Sequence, residues 1–107
     1  MRIDPEEVAS AALRCPSVSG LFPGAAIEIA TYLPGKRVLG VRVRHDDVEV
    51  HVVARWGQHF TRTAEEVRLE VAPLVGDLPV SVYVDDVAIP EVSPESREPR
   101  LGTKTGT

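Results

Sequence analysis

The chain reads as one small α+β domain: a mainly antiparallel sheet, in the order helix-strand-strand-strand-helix-strand, with two helices on one face. Three observations predict this. Two stretches of helical periodicity each open on a helix-start signal, valines alternate with polar residues through residues 40–54 and 80–85, and no repeat or linker interrupts residues 1–89. A length of 107 residues holds one core and leaves little room for a second lobe to close over a substrate.

The elements follow in order. Asp4 suits an N-cap, Pro5 the first helical position, and Glu6 and Glu7 the positive end of the helix dipole, while Val8, Ala11, Ala12 and Cys15 recur at helical spacing. A helix is predicted over about residues 5–14, stopping near Pro16. Residues 16–25 are rich in turn formers and read as a loop whose Leu21 and Phe22 tuck under the core. Ile27 and Ile29 alternate with Glu28, so residues 26–33 read as a first strand, with a short helix left open as the other reading. Pro34 and Gly35 suit the two central positions of a type II turn and end either element.

Residues 40–54 carry the clearest local signal and read as a hairpin. With Asp46 and Asp47 as a two-residue turn, Val43 faces Val50 and Val41 faces Val52, while Arg44 faces Glu49 and Arg42 faces His51 on the other side. Residues 55–62 read as a loop delivering Trp56, the only tryptophan. Thr63 and Glu66 match a capping box, with Val67, Val71 and Leu74 on one face of a second helix that kinks or ends near Ala72, before Pro73. Val80, Val82 and Val84 start a last strand through about Ala88, and residues 90–107, with three prolines and almost nothing to bury, read as a disordered tail.

Composition narrows the function classes. A net charge of −4, all of it arising within residues 1–90, argues against a nucleic-acid backbone as the main partner. One cysteine, Cys15, makes no intramolecular disulfide and sits at the apolar end of the first helix as a small buried thiol, not beside a base. No apolar run approaches the roughly 18 residues of a membrane span, and the first residues lack the apolar core of a signal peptide, so a soluble cytoplasmic domain without direct membrane insertion is expected. His45, His51 and His59 lie among Asp46, Asp47, Asp85 and Asp86 without metal-ligand spacing, and the glycines form no phosphate loop. Neither cofactor, metal nor small-molecule substrate is expected, and the chain reads as non-enzymatic.

Residues 30–44 (ATYLPGKRVLGVRVR), 48–57 (VEVHVVARWG), 64–67 (AEEV) and 82–87 (VYVDDV), with Pro16, Ser17, Val18, Ser19, Gly20 and Leu21 in the loop after the first helix, resemble the alkaline shock protein family, most of all its short actinobacterial form. The resemblance covers about residues 5–88. It implies a role in cell-envelope homeostasis or general stress response, no catalytic activity, and for some similar members a place near the membrane through a separate anchor protein.

The expected contact surface is the sheet face opposite the helices, where Arg42, Arg44, His51 and Tyr83 project with Glu49 and Asp85, and with Trp56 at its edge. An antiparallel sheet commonly leaves such a face simply solvated. A protein partner, a second copy of the chain or a membrane-anchored protein are the partners considered. The alternative is single-stranded nucleic acid, with arginines on phosphates and Tyr83 or Trp56 under the bases.

Overall fold

The computed structural model describes residues 2–90 and shows an α+β fold, with both helices packed on one face of a mixed, mostly antiparallel sheet. The tail predicted beyond Pro90 lies outside the described residues, apart from Pro90 itself. Helix α1 spans Pro5–Leu13 and starts as expected: the Asp4 carboxylate accepts from the Glu6 amide at 2.9 Å. Its buried face is Val8, Ala9, Ala11 and Ala12, whose small side chains let the helix axis lie close to the sheet.

The central strand is β5 (Val48–Arg55), and every other strand of its sheet pairs with it. Strand β6 (Val80–Ala88) runs parallel along one edge. Two short strands share the other edge end to end: β4 (Val41–Val43) beside the first half and β1 (Val18–Leu21) beside the second, both antiparallel. Where they meet, the His51 amide donates to the Gly40 carbonyl and the His51 carbonyl accepts from the Phe22 amide, each at 2.8 Å. Val48, Val50, Val52 and Ala54 point to the helices and are fully buried.

Strands β2 (Ala30–Leu33) and β3 (Lys36–Leu39) form a separate two-stranded hairpin around Pro34 and Gly35, with Gly35 at φ 76°. The Thr31 hydroxyl ties this hairpin to β4, donating to the Val41 carbonyl at 2.6 Å and accepting from the Val43 amide at 3.2 Å. Helix α2 spans Phe60–Val71, continues into a single 3-10 turn over Ala72–Leu74 at Pro73, and packs Val67 and Val71 into the core.

Several expectations need correction. Residues 18–21 are strand β1 and not loop: a run of valine, serine, glycine and leucine behind turn-forming residues gains its ladder only from the distant strand β5. The first predicted strand keeps only residues 30–33, since Ile27 is 77% exposed and, among the described residues, residues 26–28 pair with no strand. The hairpin turn sits one residue earlier, at His45 and Asp46, with the Arg44 amide donating to the Asp47 carbonyl at 2.9 Å. Val41 therefore faces Val50 and Val43 faces Val48, while Arg42 faces Glu49 instead of His51. A turn shift of one residue moves the register by two, so valine still opposes valine and the pattern alone could not distinguish the two. Helix α2 begins at Phe60 with His59 at its N-cap; Thr63 lies inside it, and Glu66 accepts from the Ser17 hydroxyl at 2.8 Å instead of closing a capping box.

Candidate functional site

The outer face of the sheet gathers four of the five predicted surface residues around Glu49. Alternation along β5 sends Glu49 and His51 outward, yet each is only 8–9% exposed because side chains from β4 and β6 close over them. Arg42 Nη1 stands 3.5 Å from Glu49 Oε1, and Arg44 Nη1 stands 3.1 Å from Oε2. Arg44 Nε also reaches Asp47 Oδ1 at 3.2 Å, and the Ser81 hydroxyl donates to Asp47 Oδ2 at 3.2 Å.

His51 is held on three sides. Its Nδ1 lies 2.5 Å from Asp85 Oδ2, its Nε2 lies 3.3 Å from Glu49 Oε1, and its ring stacks on Tyr83. Asp85 reaches the imidazole because of a bulge: Val52 pairs with Val84 and Val53 with Asp86, which leaves Asp85 as the extra residue of β6. An extra residue bends the strand and re-aims its side chain, here onto the His51 ring. The sequence did carry this signal, since the valine spacing of two through Val80, Val82 and Val84 becomes three at Val87.

Trp56 is placed elsewhere. It follows the last residue of β5 and is 61% exposed, so it lies beyond the end of the Arg55–Ala88 pairing, about 20 Å along the strand direction from Glu49. Phe60 on α2 and Ile89 after β6 are both exposed; the sequence reading left Phe60 in the loop of residues 55–62 and gave Ile89 no role.

The arrangement holds its side chains in pairs and does not converge on one point. The two ring nitrogens of His51 point in opposite directions, each at its own carboxylate, so they cannot share one ion, and among the described residues no group of three His, Cys, Asp or Glu side chains is placed to hold a metal. Among the described residues no serine or thiol hydrogen-bonds to His51. Burial pushes the Cys15 thiol up from its ordinary value, with Glu70 and Glu66 adding to the shift; its sulfur lies 3.7 Å from the Ala11 carbonyl. Tyr32 is raised by the hydrogen bond its hydroxyl donates to Glu28. Among the described residues no helix is long and apolar enough to cross a membrane.

Compared with protein-family models, curated proteins and solved structures, the chain matches none.

Proposed function

We propose that the domain is a non-enzymatic scaffold or adaptor that works through protein contacts, and that the outer sheet face is its contact surface. The observation that supports this is Glu49, a nearly buried carboxylate that holds Arg42, Arg44 and His51 in one network on rigid strands. Such a network fixes the positions of two half-exposed guanidinium groups and of Tyr83 before any partner arrives, which lowers the ordering cost of binding. Arginine and tyrosine are also residue types enriched where interfaces concentrate their energy.

The alkaline-shock, cell-envelope stress setting rests on the sequence resemblance, and with it a protein partner, a second copy or a membrane-anchored protein. Nucleic acid is the weaker reading. Both arginines are already paired with Glu49, and one face of the Tyr83 ring is covered by His51, which leaves little free charge and half a stacking platform.

The test is affinity capture with the full chain, comparing wild type with Arg42→Gln, Arg44→Gln and Glu49→Gln combined, a variant that removes the charges of the Glu49 network while Asp47 keeps the Ser81 hydroxyl and Asp85 keeps His51. Loss of the captured partner with an unchanged circular dichroism spectrum is expected. Undiminished recovery would remove the outer face from the proposal.

A further inference from the structure

We infer that the unpaired edge of β6 accepts, as an added strand, a short extended segment of a partner polypeptide bearing lysine or arginine. This deepens the scaffold reading and rests on it. Strand β6 has nine residues and pairs with β5 alone, which makes its outer edge the longest unpaired one among the described residues. The comparable edge of β4 is closed by the Thr31 hydroxyl. An open edge presents a row of main-chain donors and acceptors that a second extended chain can satisfy.

Apolar side chains flank that edge on both sides. A groove of 310 Å³ runs between the start of α2 and β6, lined by Phe60, Ala64, Val82 and Val84, with Tyr83 and Asp85 at its rim. Phe60 is 50% exposed on the helix side and Tyr83 44% exposed on the outer face. Successive side chains of an added strand alternate between faces, so one would enter the groove against Phe60 and the next would lie over Tyr83.

Charge and geometry define the occupant. The bulge at Asp85 leaves residues 80–84 as the regular part of the edge, enough for about five residues of ladder. Beyond it stand Asp85 and Asp86, while β6 contains no lysine or arginine, so a cationic side chain at that end of the added strand meets a complementary charge. A second copy fits less well, since its own β6 brings no lysine or arginine to meet Asp85 and Asp86. Residues 91–107 are poorly suited as well, because Pro94 and Pro99 lack ladder donors.

The experiment is an amide NMR titration of the full 107-residue chain with a synthetic seven-residue peptide alternating lysine and valine, capped at both ends. Binding with a Kd of about 10–100 µM is expected. Amides of β6 should exchange at least about tenfold more slowly in the complex. Phe60→Ala and Asp86→Lys should each weaken binding at least about fivefold, and a peptide with glutamate in place of lysine should not bind. Absence of slowed β6 amides, or shifts confined to Arg42 and Arg44, overturns the proposal. So do β6 amides already protected without peptide: in a dimer by light scattering the occupant is a second copy, in a monomer it is the chain's own tail. If the edge fails while partner capture still depends on Arg42, Arg44 and Glu49, the scaffold reading stands without it; the reverse pattern removes the face and keeps the edge.

Discussion

The ring of His51 lies 4.6 Å from that of Tyr83, centroid to centroid, with their planes 15° apart. The stack joins the central strand to its parallel neighbour on the solvent side, and Asp85 fixes the imidazole through Nδ1 at 2.5 Å. Asp85→Asn keeps the shape but removes the charge from that hydrogen bond, and should cost about 1 kcal/mol. Urea unfolding measures it. In a His51→Gln background the same change should cost less than half as much, since the bond is already gone; equal costs in both backgrounds would mean that the pair contributes nothing to stability.

Glu49 and its arginines respond differently to single and combined removal. Arg42 and Arg44 are roughly a third to a half exposed, so losing either costs at most about 1 kcal/mol while the other still faces the carboxylate. Losing both leaves a nearly buried Glu49 with only His51 beside it, and the double Arg42→Gln, Arg44→Gln variant should lose more than the sum of the singles. Adding Glu49→Gln should then recover stability. A triple variant less stable than the double would contradict the account.

Gly40 stands where β1 and β4 meet on one edge of β5, at φ 82°, and a Cβ there would come within 2.8 Å of Leu21 Cβ and 3.1 Å of the His51 carbonyl oxygen. Gly35 has a similar φ of 76° but open space around it. Gly35→Ala should cost about 1 kcal/mol, the conformational penalty alone. Gly40→Ala should cost at least about 2 kcal/mol, because the close approach adds to that penalty. The difference between the two midpoints in urea isolates the steric part.

Much of the fold was legible because burial writes itself into alternation. Val48, Val50 and Val52 could face only one way, and Asp4 with Pro5 announced α1. What could not be read depended on partners far along the chain. Val18–Leu21 is a strand only because β5 offers it an edge, and β6 lies parallel to β5 because α2 carries the chain back across the sheet. The candidate face was legible in membership, through Arg42, Arg44, His51 and Tyr83, but not in its pairing: the one-residue shift of the turn gave Glu49 to Arg42, and the bulge gave Asp85 to His51. Trp56 lies past the end of the strand, in the loop where the sequence put it, and there alternation no longer assigns a face.

Cys15 predicts a pH effect. Burial raises its thiol above the ordinary value of 9.0, so the folded chain holds the proton where the unfolded chain releases it. Below pH 9.0 the thiol is protonated in both states and its contribution is fully present; as pH rises through 9.0 toward the folded value, that contribution is lost. Cys15→Ala should therefore flatten the decline of stability between about pH 9 and 10, measured by urea unfolding at each pH. An identical decline in the variant would assign the loss to other groups, of which Tyr32, also raised, is one.

Thr63 offers the sharpest contrast between pattern and packing. As the N-cap of a capping box its hydroxyl would stabilise α2, and replacing it would cost about 1 kcal/mol. In the structure its amide donates to the His59 carbonyl at 3.0 Å, inside the helix, and its side chain is fully buried with no partner for Oγ1 among the described residues. A buried hydroxyl without a hydrogen bond loses its hydration and gains nothing in return. Thr63→Val replaces it with a methyl of nearly the same size and should raise stability by about 1 kcal/mol. Thermal or urea unfolding decides between the two by sign: a gain places Thr63 in the helix interior, and a loss of similar size would restore it to the helix start.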